Sequence, residues 1–405
     1  MSLTAFARSP DLQRLRSEGY AVRMHISASV GTVYLVVEDV PYLTPAGEVA
    51  RGLLATPLDL STGVAGRPVD HTMHFAGERP SNRHGDELPA LIAAHGDSLG
   101  AADLPMNYYL SNKPADQQPF SDFYAKVTHY VQILQAHAQV VDPDVGAQTF
   151  RAFVDEDEAG PFVFHDTATS RAGTASLAQR LALPRVAIVG LGGTGGYILD
   201  LLTKTPIKEL HLFDGDDLLS HNAFRAPGAA SMNDLSTRPK KVAYFETKYS
   251  VMKRHIVPHP YPVTSDNVHE LSSMDFVFLC MDGGSAKRAI VEALEGADRP
   301  FVDVGMGLHL TEEGIMGSLQ TTLSTPQQRQ HLRTRVSMAD ARDDDIYNQN
   351  VQTVELNALN AALAVIRYKK WLGFYRDEEG EHFSAYRVDT NSLINEDTQA
   401  ENDAA

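Results

Sequence analysis

The sequence predicts an α/β protein in which a smaller α+β domain precedes a mostly parallel sheet flanked by helices. From residue 185 onward, apolar runs of strand length alternate with helical runs, which is typical of a parallel sheet. Before residue 165 the strand-like runs follow one another and helices stand at either end, which indicates an α+β unit. We therefore expect a domain over 1–160, a second domain over 161–394, and an acidic, disordered tail over 395–405.

The N-terminal domain shows two helical patterns and four strand-like runs. A helix is expected over 11–19, and an amphipathic helix is expected over 121–137. The expected strands lie over 20–26, 31–38, 70–76 and 108–114. The charged, turn-like run 155–161 follows, and it is the best candidate for the domain boundary.

The second domain begins with a helical pattern over 167–181 and then alternates between strands and helices. The expected strands lie over 185–190, 209–214, 255–263, 275–281 and 300–304. The expected helices lie over 195–203, 237–253, 285–296 and 351–372. Because the strands alternate with helices, we expect them to run parallel, with the helices covering the faces of the sheet.

Composition and charge exclude several classes of function. The 405 residues carry a net charge of −17, which argues against a nucleic-acid partner, because such binding depends on neutralising phosphates. The single cysteine excludes a disulfide framework and a zinc site made of C-x-x-C pairs. No apolar stretch approaches the ~20 residues of a membrane span, and the N-terminus does not resemble a signal peptide. We therefore expect a cytoplasmic protein without nucleic-acid or membrane partners.

The most informative segment is RVAIVGLGGTGG at 185–196. An apolar strand leads into the pattern G-x-G-x-x-G, and a helix follows directly. Glycines at these spacings permit a tight turn and a close approach of the backbone to a phosphate, while the helix N-terminus favours the phosphate charge. This context predicts a nucleotide site in a Rossmann-like sheet near the middle of the chain.

The residues after the glycine loop discriminate between nucleotide chemistries. Asp214 ends the second strand, where an acid can bind ribose hydroxyls. NAD enzymes have such an acid too, so this residue alone does not identify the nucleotide. Arg225 lies on the following loop, and Lys241 starts a helix, where a cation opposes the helix dipole. A triphosphate gives such cations a purpose, whereas a pyrophosphate already held by the glycine loop does not. Asp282 ends another buried strand at the rim of the sheet where ligands bind.

In order and spacing, these residues resemble the adenylation domain of the ThiF/MoeB/HesA superfamily, which includes the ubiquitin-activating enzymes. The resemblance covers roughly residues 165–310. The matching positions are Gly190, Gly192, Gly193, Gly195, Asp214, Asn222, Arg225, Lys241 and Asp282. The resemblance implies ATP-dependent adenylation of the C-terminal carboxylate of a ubiquitin-like protein, with Mg²⁺ and release of pyrophosphate.

The resemblance also implies a role for each polar position. Asp214 would bind the ribose, and Asn222, Arg225 and Lys241 would hold the phosphates. Asp282 would lie beside the magnesium ion and the α-phosphate. By this resemblance, the catalytic residues are Arg225, Lys241 and Asp282.

Two further positions complete the expected site. Asp216 lies just beyond the ribose carboxylate, where it would assist the magnesium ion, with a solvated loop acid as the alternative. Arg171 lies ahead of the first strand of the second domain. By resemblance, an arginine there reaches into the nucleotide site of the partner subunit, which implies a homodimer.

The N-terminal domain carries a second resemblance. Residues 69–80 and 120–126 resemble the segment fused to ThiF-like proteins in bacterial ubiquitin-like gene clusters, and that segment is similar to a ubiquitin-conjugating enzyme. This implies a bacterial conjugation pathway, for which antiviral defence is one purpose. No cysteine occurs in this domain or after Cys280, so a thioester at the usual positions is not expected. Ser81 and His84 are candidates for an oxyester instead, with a solvated polar loop as the favoured alternative.

Other residues and functions remain as alternatives. Cys280 is a candidate nucleophile, but a buried free cysteine within a strand is the favoured interpretation. His71, His74 and His84 are candidate metal ligands, but their spacing fits no zinc site. The glycine loop alone also fits an NAD-dependent oxidoreductase, and a nucleotide-binding scaffold without catalysis is a third hypothesis.

Overall fold

A computed structural model shows the fold of residues 9–28, 31–60, 64–96, 102–152, 160–164, 166, 168–169, 174–338 and 351–398. The chain forms two compact units, one from residues 1–157 and 165–174, the other from residues 158–164 and 175–405. The first unit has an antiparallel sheet with helices, and the second has a mostly parallel sheet flanked by helices. The fold class that the sequence predicts is therefore confirmed.

The first unit contains six strands and two main helices. Its strands are β1 (Ala21–Ile26), β2 (Val33–Leu43), β3 (Val49–Pro57), β4 (Thr72–Ala76), β5 (Ile92–His95) and β6 (Tyr108–Ser111). Its helices are α1 (Pro10–Ser17) and α2 (Phe123–Ala138). The strands pair in the order β1-β2-β3-β4-β6-β5. The Asp122 carboxylate accepts a hydrogen bond from the Ala125 backbone and caps α2, whose Val127 and Leu134 enter the core.

The sequence prediction omits β3 and β5, and β3 shows why. β3 contains Gly52 and ends at Pro57, and both residue types weaken the pattern of a strand. A Cβ atom at position 52 would lie 2.5 Å from the ring of Phe75, which is fully buried. Packing of the phenylalanine therefore requires the glycine that obscures the strand.

The second unit contains an eight-stranded sheet. Its strands are β7 (Arg185–Val189), β8 (Glu209–Phe213), β9 (Ile256–His259), β10 (Phe276–Leu279), β11 (Phe301–Thr311), β12 (Gly314–Ser324), β13 (Phe383–Arg387) and β14 (Ser392–Glu396). The order across the sheet is β14-β13-β12-β11-β10-β7-β8-β9. Five neighbouring strands pair in parallel, in the spatial order β11-β10-β7-β8-β9. The sheet continues beyond β11 with β12, β13 and β14, which pair antiparallel.

The helices of the second unit cover both faces of this sheet. They are α3 (Ala175–Ala178), α4 (Gly193–Leu202), α5 (Ser220–Ala223), α6 (Met232–Thr237), α7 (Lys241–Tyr249), α8 (Ser285–Gly296), α9 (Leu332–Arg335) and α10 (Val354–Trp371). The α10 helix packs Ala361 and Tyr368 into the same core as Ile188 and Phe278 of the sheet. On the other face, Ile290 and Leu294 of α8 pack against a second core.

The antiparallel end of the sheet differs from the sequence expectation. β11 extends to Thr311 rather than ending at 304, and it forms a hairpin with β12. Glycines interrupt both strands, which weakens their pattern in the sequence. β14 includes residues 395 and 396, which the sequence assigns to the acidic tail. They pair with β13, because the strand continues the ladder of the sheet, while residues 399–405 lie outside the described part.

A short segment at 160–164 belongs to the second unit and packs on the end of α7. The Val163 backbone N–H donates to the Met252 carbonyl oxygen over 2.9 Å, and the Arg254 N–H donates to the Pro161 carbonyl oxygen over 2.9 Å. The Phe162 ring covers the ammonium group of Lys253 at 4.8 Å. Among the described helices, none combines the length and the apolar character that crossing a membrane requires.

Candidate functional site

The glycine loop lies between β7 and α4 and is packed tightly except at Gly192. Gly190 has a positive φ of 91°, and a Cβ atom there would lie 2.4 Å from the Cys280 carbonyl oxygen. A Cβ atom at Gly195 would lie 1.9 Å from the Gly190 carbonyl oxygen. By contrast, no atom lies within 4 Å of the Cβ position at Gly192, which caps the N-terminus of α4. The backbone at Gly192 is therefore open to a ligand, as a phosphate site requires.

Asp214 connects the glycine loop to the loop that follows β8. Its Oδ2 atom accepts a hydrogen bond from the Leu191 N–H over 2.7 Å. Its Oδ1 atom accepts one from the Asp216 N–H over 2.8 Å. The side chain is almost fully buried. Because each carboxylate oxygen has two lone pairs, Asp214 still has acceptor capacity for a hydroxyl group.

Lys241 joins this cluster from the first turn of α7. Its ammonium group donates to Asp216 Oδ2 over 2.7 Å and lies 3.5 Å from Asp214 Oδ2. This hydrogen bond lowers the pKa of Asp216 below its usual value. Lys240 turns the other way and pairs with Asp217 at 2.8 Å. The structure therefore brings Asp214, Asp216 and Lys241 together, with the two acids around the buried lysine.

Asn222 lies in α5, the short helix that follows β8, and Arg225 lies just after this helix. The two side chains differ in their hydrogen bonding. The buried Asn222 side chain accepts a hydrogen bond from the Leu219 N–H over 2.9 Å and thereby holds the turn. Arg225 follows this turn, and its Nε atom is buried without a hydrogen-bond partner among the described residues. Buried N–H groups almost always have an acceptor. The orphaned guanidinium N–H therefore fits an anionic ligand beside the loop.

Asn357 on α10 contacts the glycine loop, although the sequence analysis does not name it. Its Oδ1 atom accepts a hydrogen bond from the Thr194 hydroxyl over 2.8 Å, and its buried Nδ2 atom has no partner among the described residues. A Cβ atom at Gly193 would lie 2.3 Å from that Nδ2 atom. The available signal in the sequence is the pair Asn357 and Asn360, which interrupts the apolar face of the helix over 351–372.

Asp282 is exposed at the rim of a cavity of about 250 Å³ that lies beyond the carboxyl end of β10 and along the middle of β11. The cavity is also lined by Thr194, Cys280, Lys287, Asp303, Gly305, Gly307, Gln320, Arg335 and Asn360. Thr194 belongs to the glycine-loop helix and Gly190 packs on Cys280, so the cavity adjoins the loop. Asp282 therefore lies beside the predicted nucleotide site but outside the cluster around Lys241.

An ion pair between Lys287 and Asp303 lies within this cavity. The Lys287 ammonium lies 2.5 Å from Asp303 Oδ1, and both side chains are almost fully buried. Burial raises the pKa of Asp303, against the opposing effect of the Lys287 charge. The sequence carries no signal for this pair, because the Lys-Arg step at 287–288 resembles the charged face of an ordinary helix.

The remaining candidates do not join the site. Arg171 lies outside the described residues. Cys280 reaches the cavity wall, but burial raises the pKa of its thiol, which disfavours the nucleophilic thiolate. Ser81 is fully buried and donates to the Arg79 carbonyl oxygen, so its hydroxyl is not accessible for an oxyester. In the described parts of the chain, no group of three or more His, Cys, Asp or Glu residues is placed to hold a metal ion. His84 therefore belongs to no such group.

Comparison with known families decides the assignment. A profile of the ThiF family matches residues 166–390, which is more than half of the chain. The chain belongs to the ThiF family. A second profile, described as a domain of unknown function (DUF6791), matches residues 10–167, ahead of the ThiF match.

Curated relatives of this ThiF-family chain include ubiquitin-like modifier-activating enzyme 5 from several animals. The Aedes aegypti protein is 25% identical over an alignment of 169 residues, and the match covers 38% of this chain and 40% of that protein. The Rattus norvegicus protein is 26% identical over an alignment of 164 residues, and the match covers 38% of this chain and 40% of that protein. The chain thus spans about 40% of the length of these relatives.

Solved structures similar to this ThiF-family chain include PaaA and MccB. PaaA is 16% identical with a TM-score of 0.43, and the match covers 55% of this chain and 75% of PaaA. E. coli MccB, solved with ATP, is 14% identical with a TM-score of 0.43, and the match covers 57% of this chain and 69% of MccB.

Proposed function

We propose that the second unit is an ATP-dependent adenylyltransferase that activates the C-terminal carboxylate of a ubiquitin-like protein in a bacterial conjugation pathway. Membership of the ThiF family and similarity to ubiquitin-like modifier-activating enzyme 5 support this class of reaction. The observation that carries the proposal is the buried, orphaned Nε atom of Arg225 on the turn after the ribose carboxylate. A phosphate oxygen is the acceptor that this donor lacks.

ATP would be held by residues whose surroundings suit each part of the nucleotide. The open backbone at Gly192 and the N-terminus of α4 suit the phosphates. Asp214 retains acceptor capacity for the ribose hydroxyls. Lys241 would exchange its contact with Asp216 for a phosphate oxygen. This exchange is feasible because the Asp216 side chain is 76% exposed and becomes hydrated when the lysine leaves.

The reaction needs positioning and charge neutralisation rather than a side-chain base. One oxygen of the substrate carboxylate forms a bond with the α-phosphorus, and the bond from that phosphorus to the bridging oxygen of the β-phosphate breaks. The electron pair leaves with pyrophosphate, and the acyl adenylate remains. The carboxylate is already a nucleophile at neutral pH, so the enzyme contributes orientation and cations for the developing charge.

Asp282 is our candidate ligand for magnesium. Mg²⁺ commonly binds through one or two carboxylates together with substrate phosphates, so a single exposed carboxylate at the cavity rim fits it. When bound, the ion neutralises charge on the phosphates. We further propose that the active protein is a homodimer in which Arg171 reaches the partner's site. The first unit, whose segments 69–80 and 120–126 resemble the domain fused to ThiF-like proteins in bacterial conjugation clusters, would serve the same pathway.

ATP–pyrophosphate exchange tests the proposal, with any ubiquitin-like protein that is encoded beside this gene as the substrate. Wild-type protein should exchange labelled pyrophosphate only when its cognate protein is present. Asp282→Ala should lower exchange by about 100-fold or more, in the range seen for lost electrostatic stabilisation. Asp217→Ala is the matched control, because Asp217 pairs with the exposed Lys240 outside the cavity.

Two outcomes would contradict this function. Binding of ATP without exchange, across the proteins encoded nearby, would favour a nucleotide-binding scaffold. Tighter binding of NADH than of ATP would favour an oxidoreductase, which Asp214 alone also permits.

A further inference from the structure

Lys287 is a buried cation in an unfavourable place. It lies in the first turn of α8, whose Gly284 cap has a positive φ of 133°. The positive end of the helix dipole opposes a cation there, and removing an ammonium group from water costs further free energy. Asp303 offsets part of this cost across 2.5 Å. Because both the helix dipole and the loss of hydration disfavour the cation, its position indicates a role in function rather than in stabilising the fold.

The ion pair leaves hydrogen-bonding capacity unused. An ammonium group has three N–H donors, and within the described part of the chain Asp303 is the side chain paired with it. Asp303 Oδ1 is itself buried without a hydrogen bond of good geometry. Both residues line the cavity whose rim carries Asp282. The cavity is therefore lined by an ammonium group with spare donors, to which an acceptor of a ligand can bind.

The same cavity has room for an extended chain end along β11. β10 pairs with β11 only as far as Asp303, so none of the described strands lies beside β11 on that edge beyond this residue. The wall there is formed by Gly305 and Gly307, and no atom lies within 4 Å of the Cβ position at Gly307. Asn360 occupies one backbone group by donating to the Gly305 carbonyl oxygen over 3.0 Å.

We propose that Lys287, held in place by Asp303, is a positioning residue that binds the terminal acyl group of the substrate beside Asp282. This inference rests on the proposed adenylation. One carboxylate oxygen attacks the α-phosphorus, and the other becomes the carbonyl oxygen of the acyl adenylate. Lys287 donates a hydrogen bond to this second oxygen and keeps its proton throughout. The attacking oxygen is thereby directed toward the phosphate. The Lys287 ammonium also offsets the repulsion between the substrate carboxylate and the Asp282 carboxylate.

Two adenosine compounds isolate the acyl contact from the nucleotide contact. The first is 5′-O-sulfamoyladenosine, which lacks an acyl group. The second is its N-acetylglycyl derivative, which adds the terminal carbonyl. Acylation makes the sulfamate N–H acidic, so the derivative is also an anion, and the ratio of the two dissociation constants, measured by isothermal titration calorimetry with the full-length protein, reports the acyl group and this charge together. A fall in the ratio when Lys287 and Asp303 are both replaced by uncharged residues, which leaves the net charge of the protein unchanged, reports the acyl subsite. Wild-type protein should bind the acyl compound about 10- to 100-fold more tightly, as expected for one charge-assisted hydrogen bond.

The decisive variant is Lys287→Met/Asp303→Leu, which replaces the ion pair with an apolar pair. Replacing both partners of a buried pair is often neutral for stability, whereas removing one is not. The double variant should keep its thermal midpoint and its affinity for sulfamoyladenosine, and lose the preference for the acyl compound. A second variant, Lys287→Gln/Asp303→Asn, keeps polar groups at both positions without the charges, and the preference should fall there too. Asp217→Ala, whose carboxylate pairs with Lys240 and does not line the cavity, is the control that should keep the preference.

The outcomes separate this inference from the proposed function. If wild-type protein binds neither compound, the nucleotide site itself is wrong. If wild-type protein binds both equally, or if either folded double variant keeps the preference, Lys287 has no role toward the acyl group. A folded double variant that exchanges pyrophosphate with an unchanged KM for the protein substrate would overturn the inference in the same way.

Discussion

Buried lysines in the two units occupy opposite kinds of surroundings. In the first unit, Lys126 on α2 donates to the Thr56 hydroxyl over 2.8 Å and to Asp70 over 3.2 Å, and it lines none of the cavities described above. In the second unit, Lys287 has one carboxylate partner, which is as buried as itself, and it faces a cavity. The two residues are alike in type and in burial, so burial alone does not identify a site.

The difference lies in how the polar neighbours are arranged. Asp70 is half exposed, and its carboxylate also accepts hydrogen bonds from Thr72, so Lys126 closes a network that packs α2 against the sheet. Among the described residues, Lys287 belongs to no such network. It faces a cavity that adjoins the glycine loop, where the Nδ2 atom of Asn357 is also without a partner. Unsatisfied polar groups around an opening, rather than buried charge, indicate where a ligand is expected.

The largest effect is expected for stability when one partner of the second-unit pair is removed. Lys287→Met leaves Asp303 buried without its cation, which should cost about 3–5 kcal/mol of unfolding free energy. The double variant with Asp303→Leu should recover most of this loss. Urea unfolding of the full-length protein measures both. A single variant as stable as the wild type would mean that water reaches Asp303 and that the pair is not buried in solution.

Arg225→Ala should separate function from stability. The substitution removes an orphaned donor, so the thermal midpoint should stay within about 2 °C of the wild type, as for other substitutions that break no partnered contact. ATP affinity should fall about 10- to 100-fold, because a charge-assisted bond to a phosphate is lost. Calorimetric titration with ATP measures the change, and Arg254→Ala, which loses a contact to the 160–164 segment, is the control. Unchanged ATP affinity would remove the main support for a phosphate at this position.

Lys126→Met is the matched substitution in the first unit. It removes a hydrogen bond to the buried Thr56, but the exposed Asp70 carboxylate can be hydrated, so the cost should be about 1–2 kcal/mol. Neither ATP affinity nor pyrophosphate exchange should change. Thermal unfolding and the exchange assay check the two parts separately. Loss of exchange in a folded Lys126→Met protein would show that this lysine does more than pack the first unit.

Lys253 is a further buried lysine of the second unit, and its contribution to stability should depend on pH. This lysine is fully buried, and burial lowers its pKa from 10.5 to about 7. Between pH 7 and 10.5 the unfolded chain binds a proton there that the folded chain does not, so folding stability should rise with pH across this window. The expected slope is at most about 1.4 kcal/mol per pH unit. Urea unfolding at pH 7 and pH 8 should show this rise in the wild type but not in Lys253→Met, and equal slopes would contradict it.

The cluster around the glycine loop could be predicted from the sequence because its residues lie close together along the chain. The glycine loop, Asp214 and Lys241 have fixed spacings, and the structure places the acids and the lysine within hydrogen-bond distance. Their roles toward ATP remain predictions. The cavity beside this cluster could not be predicted from the sequence, since Lys287, Asp303 and Asn360 come from three separate elements and form one cavity only after folding.

The fold shows the same division between local and distant signals. The alternation of apolar strands and helices predicts the parallel strands, because each carries its signal within a few residues. The hairpin of β11 and β12 escaped prediction because its glycines serve contacts between strands. A Cβ atom at Gly317, for example, would lie 2.0 Å from the Gly307 carbonyl oxygen. Residues selected for close approach weaken the pattern by which a strand is identified.

The segment at 160–164 has a practical consequence for anyone who expresses the second unit alone. The family match begins at residue 166, so a fragment cut to that match would lose the Phe162 ring and the two backbone hydrogen bonds to residues 252 and 254. The Lys253 ammonium, which donates to the carbonyl oxygens of Thr205 and Ile207, would then be uncovered on one side. A fragment beginning at residue 158 would retain this cover, so the shorter boundary would yield the less stable protein.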